Sequence, residues 1–224
     1  DFAIFEIGTN NFFEIRHLTS LVQPSQIFIT NILSTHLENF KNKKNIAKEK
    51  SDIFNKKFNP NVKILYFQMT SVDEKDINSY AKKQKINKIV SIGKNGLDSY
   101  VVSLKKNKNN YEIVLKVLNK FFFFSFKEYE ENKIKNLIFI FSFFLINKIN
   151  TNIVIKNKNK FPKIDGRGSL HNILFNNINV TLIDQSYNAN PETMIESIKN
   201  FSKYKNINLE KILILGNMNE LGKQ

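Results

Sequence analysis

The sequence has 224 residues, which is enough for one or two domains with a buried core. It contains no cysteine, so disulfide bonds and thiolate metal sites are excluded. The formal net charge of +14 comes from lysines spread along a chain that is also rich in Asn, Ile and Phe, all residues with A/T-rich codons. With no arginine cluster and no nucleic-acid-binding motif, we expect no nucleic acid partner.

In the first 126 residues, short apolar runs with strand character alternate with helical patterns, which predicts an α/β fold with a largely parallel sheet. Strands are expected at residues 3–7, 26–32, 62–67 and 88–92, and helices at residues 14–22, 45–58 and 71–84. Residues 99–104 and 111–126 are predicted to be two antiparallel strands joined by a turn at 107–110. The run of four phenylalanines at 121–124 is predicted to lie in the core.

The second half of the chain begins with a long helix predicted at residues 130–149. Its apolar part, 137–149, is too short to span a bilayer and is interrupted by Asn147 and Lys148, so we expect a buried helix and no membrane insertion. Residues 150–163 are rich in Lys and Asn and are predicted to be a linker.

After the linker, strands are predicted at 173–175, 180–183 and 212–215, and a helix is predicted with Asn190 as its N-cap and Pro191 as its first residue. We therefore divide the chain into two domains, 1–160 and 161–224, both incomplete. The first is predicted to be an α/β unit with a largely parallel sheet, and the second the opening of another α/β domain.

Two polar residues lie near the carboxyl ends of predicted strands, where open α/β sheets bind ligands. Glu6 interrupts the apolar run 3–7, and His36 closely follows the strand 26–32. A histidine there is a candidate for metal binding or acid–base chemistry. Taken alone, each residue is more often an ordinary exposed side chain, so neither identifies a function.

Lys50 shares one helical face with three apolar residues, Ile46, Ile53 and Phe54. A lysine in an apolar stripe can bury its stem and keep its ammonium group in water. It can also point into a binding site. The spacing by itself leaves both interpretations open.

Two loops of the second domain have features of phosphate or nucleotide binding. Glycines on both sides of Arg167 free the backbone and allow its guanidinium group to approach a phosphate closely. Residues 184–191 join a strand to a helix N-terminus, where backbone N–H groups can bind an anion. Neither loop is specific by itself.

Taken together and in order, these segments resemble the Mur ligase family. The matching segments span nearly the whole chain and are residues 6–15, 29–40, 47–54, 166–168, 186–191 and 215–222. The string from Ser186 to Pro191 resembles the branch that joins D-alanyl-D-alanine to UDP-MurNAc-tripeptide. The resemblance therefore implies a cytoplasmic, monomeric, ATP- and Mg²⁺-dependent amide-bond ligase in peptidoglycan synthesis. It also implies that residues 1–160 form a doubly wound sheet of the ATPase type and that residues 161–224 form the start of a Rossmann-like domain.

The resemblance also implies roles for individual residues. Glu6, His36 and a carbamylated Lys50 would hold Mg²⁺, and Lys50, His36 and Arg167 would be the catalytic residues. The nucleotide would be contacted by residues from both domains, namely Asn136, Arg167, Gln185, Ser186, Asn188 and Asn190.

Several positions depart from the family pattern, among them Asn11, Phe13, Gln185 and Asn217. The 224 residues contain no Gly-x-x-Gly-Lys-Ser/Thr loop, which the family has upstream of the segment that begins at Asp1. Two alternatives therefore stay open: a non-catalytic remnant of such a ligase, and another ligase of the same superfamily, such as a folylpolyglutamate synthase.

Overall fold

The computed structural model describes residues 1–69, 74–94, 96–108, 110–127, 129–158, 160, 164–203 and 210–219. Its largest element is a six-stranded sheet whose spatial order follows the order of the chain. The strands are β1 (Gln26–Ile29), β2 (Ile64–Gln68), β3 (Lys88–Gly93), β4 (Ser99–Lys106), β5 (Tyr111–Val117) and β6 (Lys120–Phe126). The pairs from β1 to β4 are parallel, and β5 and β6 continue the sheet in antiparallel pairing.

Helices cover both faces of the parallel part of this sheet, as the doubly wound prediction requires. The helices of the first 160 residues are α1 (Glu14–Val22), α2 (Leu37–Phe40), α3 (Lys43–Ser51), α4 (Glu74–Lys83), α5 (Glu131–Ile146) and α6 (Asn152–Asn157). One core joins β1 and β2 to α3 and α4 through residues such as Leu65 and Ile77. The other joins β2–β6 to α5, with Phe141 fully buried.

A second unit follows, consisting of the hairpin β7 (Ser169–Phe175) and β8 (Ile178–Asp184) and the helix α7 (Pro191–Lys203). Asn176 and Asn177 form the hairpin turn with positive φ angles of 46° and 62°, which asparagine tolerates better than most residues. The predicted start of α7 is confirmed, because the Asn190 side chain accepts a hydrogen bond from the Thr193 N–H at 2.9 Å.

Two predicted strands are wrong. Residues 3–7 and 212–215 form no strand, and Ile4 and Ile214 are 88% and 86% exposed. Their apolar runs have strand character, but a strand also requires a hydrogen-bonded neighbour. None of the strands in the described ranges pairs with either segment. Phe2 nevertheless packs edge-on against Phe143 of α5, with ring centroids 5.1 Å apart.

The predicted strand 111–126 is in fact two strands, β5 and β6, which are joined by a turn at Leu118 and Asn119. The apolar alternation continues across that turn and conceals it. The prediction that all four phenylalanines lie in the core is only half right, because successive side chains of β6 point to opposite faces of the sheet. Phe122 and Phe124 are buried, whereas Phe121 and Phe123 are 56% and 75% exposed.

Two helix predictions also need correction. The helix predicted at residues 45–58 begins earlier and ends at Ser51, and a single 3₁₀ turn, Asp52–Phe54, follows it. Helix α6 occupies part of the predicted linker, because Val154 is buried in the core formed with α5. Within the described ranges, no helix is long and apolar enough to span a membrane.

Candidate functional site

The loop that follows β1 contains His36, which starts α2 in the left-handed backbone region with φ at 52°. Ser34, Thr35 and His36 form one side of a small cleft of about 30 Å³. The other side includes the segment from Asn188 to Asn190, which immediately precedes α7. The structure thus brings His36 together with Asn188 and Asn190, as expected for a site between the two units.

Lys50 lies near the end of α3 and reaches the same strand end. Its Nζ donates a hydrogen bond to the backbone carbonyl of Asn31 at 3.1 Å, just beyond β1. Burial lowers the pKa of Lys50, because an ammonium group loses hydration among apolar neighbours. The amine points to the polar carbonyl edge of the sheet. Because the pKa is lowered, a larger fraction of this amine is neutral at a given pH than for a solvated lysine.

Glu49, the residue before Lys50, was not predicted to be important but is one of the most buried polar residues, with 2% exposure. Its carboxylate accepts hydrogen bonds from the backbone N–H groups of Phe13, at 2.8 Å, and Ile15, at 3.0 Å. It thereby caps the N-terminus of α1, at which Phe13 supplies no side-chain cap. Glu49 also lines an open pocket of about 290 Å³ between α1 and α3.

The loop around Arg167 is fixed by hydrogen bonds to the strand end and loop after β8. The Gly168 N–H donates to the Asp184 carbonyl at 2.7 Å, and the Tyr187 N–H donates to the Gly166 carbonyl at 3.1 Å. Gly166 has a φ of 75°, and a Cβ there would lie 2.8 Å from the Tyr187 nitrogen. Only glycine fits this close approach without strain.

Arg167 itself is exposed, and its guanidinium carbon lies 4.5 Å from the centroid of the Tyr187 ring. Stacking on an aromatic ring orients the planar guanidinium group and leaves its edge available to an anion. The structure therefore places Arg167 beside the loop 184–191, consistent with the prediction that both belong to one site.

Further hydrogen bonds, within the loop 184–191 and to the start of α7, organise this segment. The Ser186 N–H donates to the Asp184 side chain at 2.9 Å, and hydrogen bonds from Ser186 lower the pKa of Asp184. At the start of α7, Pro191 has no N–H and the Thr193 N–H is bound by Asn190. The helix start therefore offers fewer free N–H groups than its sequence suggests.

The structure does not bring Glu6, Asn136 or Gln185 into the cleft around His36. Glu6 lies on the exposed N-terminal segment, and Asn136 is exposed on α5. Gln185 is exposed, and its Nε2 lies near Gly168. Their assignments to metal and nucleotide binding remain predictions.

The residues expected to hold Mg²⁺ fit it only in part. The described ranges contain no group of three His, Asp or Glu side chains that could bind a metal ion. Mg²⁺ prefers oxygen ligands and often binds through one or two carboxylates together with substrate phosphates. Glu6 is the only carboxylate of the expected set, and Lys50 would provide oxygen only as a carbamate.

Sequence reasoning missed Ser34 and Glu192. The Ser34 hydroxyl donates to the Glu192 carboxylate at 2.6 Å, although 158 residues separate the two. A serine in a loop and an acidic residue in the first turn of a helix are both common, so neither gave a signal. Only the tertiary arrangement reveals this contact.

The fold and the cleft define an α/β protein in which a doubly wound sheet meets a second unit at the carboxyl end of β1. Comparison with known proteins identifies its family. The Mur ligase middle domain matches residues 1–140, and the chain belongs to the Mur ligase family.

Among curated relatives, the UDP-N-acetylmuramoyl-tripeptide–D-alanyl-D-alanine ligase of Rickettsia prowazekii is 28% identical over 223 residues, covering 99% of this chain and 48% of the relative. The Haemophilus influenzae protein of the same name is 26% identical over 226 residues, covering 99% and 46%. The chain thus spans about half the length of the curated relatives it matches.

Solved structures agree on the fold. MurF from Acinetobacter baumannii superposes with a TM-score of 0.81 at 22% identity, over 98% of this chain and 46% of that one. MurF from Thermotoga maritima, in complex with ADP, gives a TM-score of 0.76 at 20% identity, over 97% and 48%. The predicted α/β architecture and the resemblance to Mur ligases are both confirmed.

Proposed function

We propose that the chain is part of an ATP-dependent amide-bond ligase that adds D-alanyl-D-alanine to UDP-MurNAc-tripeptide during peptidoglycan synthesis. The curated relatives that match along almost the whole chain bear the name of this activity. The observation in the structure that best supports the proposal is the cleft that joins His36 to Asn188 and Asn190. It brings together two of the segments that resemble the family.

In this reaction the substrate carboxylate attacks the γ-phosphorus of ATP, and ADP leaves. The amine of D-alanyl-D-alanine then attacks the acyl carbon, loses a proton and displaces phosphate. Such chemistry depends mainly on positioning and on stabilisation of phosphate charge. Bound Mg²⁺ would supply part of that stabilisation by neutralising phosphate oxygens.

The residues of this chain would contribute in three ways. Arg167, held by stacking on Tyr187, would contact the phosphates through its exposed guanidinium group. Asn188 and Asn190 would approach the nucleotide from the second unit. Lys50 would act as a carbamate, because its lowered pKa favours the neutral amine that reacts with carbon dioxide.

The complete reading frame tests this proposal. A Gly-x-x-Gly-Lys-Thr/Ser loop upstream of Asp1, placed between a strand and a helix, is expected for a nucleotide-using ligase. Phosphate release by the complete protein should then require the tripeptide precursor and D-alanyl-D-alanine together. An intact frame without that loop would instead favour a non-catalytic remnant.

The choice of substrate is tested in the same assay. Phosphate release with a different amino acceptor, and none with D-alanyl-D-alanine, would assign the protein to another ligase of the superfamily. We also propose that the protein is cytoplasmic and monomeric and that it has no nucleic acid partner. Size-exclusion chromatography tests its oligomeric state, and cell fractionation tests its location.

A further inference from the structure

One carboxylate oxygen joins the two units of the chain. Oε1 of Glu192, in the first turn of α7, accepts hydrogen bonds from the Ser34 hydroxyl at 2.6 Å and from the Ser34 backbone N–H at 3.2 Å. Ser34 belongs to the loop that follows β1 and carries His36. The contact therefore connects the main sheet to the helix that follows the segment 186–190.

Glu192 makes this contact as an anion. Burial alone would raise the pKa of Glu192, but hydrogen bonds, chiefly from Ser34, and the positive charge of Lys43 on α3 outweigh burial. The pKa consequently lies below its ordinary value, and the group is ionised at neutral pH. Hydrogen bonds to an ionised acceptor are about twice as strong as those between neutral groups.

The second oxygen, Oε2, is buried and accepts no hydrogen bond from the residues that the structure describes. Burying a polar atom without a partner costs free energy. The carboxylate is therefore held through its other oxygen, Oε1, by Ser34, and the positive charge of Lys43 also favours it. Because a hydrogen bond forms only over a narrow range of distances and angles, this contact favours one orientation of the two units.

A local role alone does not explain this arrangement. An acidic residue in the first turn of any helix interacts favourably with the helix dipole, wherever the helix lies. Helix α7 already has its own cap, because Asn190 binds the Thr193 N–H at 2.9 Å. The contact with Ser34 adds an attachment that helix formation does not require.

We propose that Glu192 is a positioning residue that holds the segment 186–190 against the loop carrying His36. The cleft of about 30 Å³ between these two segments exists only while the units are docked. What the positioned residues bind rests on the proposed ligase function, whereas the docking itself does not. Separate measurements therefore test the two statements.

Distances between spin labels measure the docking directly. The chain has no cysteine, so the changes Lys82→Cys on α4 and Lys199→Cys on α7 place labels at two exposed positions only. Pulsed electron–electron double resonance on the full chain should give one narrow distance distribution. Glu192→Ala should add a second population at longer distance, while the circular dichroism spectrum stays the same.

Substitutions of Ser34 test the contact from its other side. Ser34→Ala removes the shorter hydrogen bond and should also add a population at longer label-to-label distance. Ser34→Thr keeps a hydroxyl and should restore the narrow distribution. Ser202→Ala is the matched control, because among the described residues the Ser202 hydroxyl bonds only to the Lys199 carbonyl of its own helix. This control should leave the distribution unchanged.

A narrow distribution in both Glu192→Ala and Ser34→Ala would overturn the proposal. If Glu192→Ala does not fold, Ser34→Ala decides by itself. In a complete, active enzyme the same variants should raise the KM for ATP more than they lower kcat. Altered distances in a protein without ligase activity would refute the proposed function and leave the positioning role intact.

Discussion

The buried carboxylate of Glu49 leads to a quantitative prediction for the change Glu49→Ala. The carboxylate binds the N–H groups of Phe13 and Ile15, and Ile15 is only 3% exposed. Removing it leaves a buried backbone donor without a partner, which costs about 1–3 kcal/mol. Loss of the second hydrogen bond, to the Phe13 N–H, adds about 1 kcal/mol. We expect the free energy of unfolding to fall by about 2–4 kcal/mol.

Urea unfolding followed by circular dichroism measures this loss. The midpoint should fall while the dependence on urea concentration stays the same, because the folded state keeps its compactness. Glu38→Ala is the matched control, since Glu38 is exposed on α2 and should change stability by less than about 0.5 kcal/mol. A loss for Glu49→Ala no larger than that for the control would refute the capping role.

Three further predictions concern single residues. Gly166→Ala should destabilise the chain by about 1–3 kcal/mol in the same urea experiment, because its φ is 75° and its Cβ would contact Tyr187; Gly8→Ala, with open space around it, should not. Hydrogen bonds from Asn11 and Asn10 lower the pKa of Glu14 from 4.5 to about 2, so its contribution to stability is complete above pH 4.5 and is lost as the pH falls towards 2. Glu14→Gln should flatten the pH dependence of the urea midpoint in that range, and an unchanged slope would contradict this assignment. Because burial lowers the pKa of Lys50, ¹³C-labelled bicarbonate should give a carbamate NMR signal that disappears in Lys50→Arg and persists in Lys48→Arg, whose parent lysine is exposed.

Local sequence was enough to predict the bounds of helix α1 and the start of helix α7. Helix α1 was predicted at the bounds observed from its helical pattern, and the start of α7 was predicted from its cap, Asn190, and from Pro191. Both signals act over a few residues. The family was recognised in the same way, from short strings whose order and spacing survive over nearly the whole chain. That resemblance assigned His36 to metal binding and Asn188 and Asn190 to nucleotide binding, and the structure shows that all three line one cleft.

Only the tertiary structure decided which apolar segments become strands and which polar groups meet. The segments 3–7 and 212–215 have strand character but form no strand, since a strand depends on a neighbour that may lie far away in sequence. Glu49 and Glu192 look like ordinary acidic residues of helices. They cap α1 and bind Ser34 because folding brings donors within 3.2 Å that are separated from them by at least 34 residues. Hydrogen bonds depend on distance in space, and the sequence encodes that distance only through the whole fold.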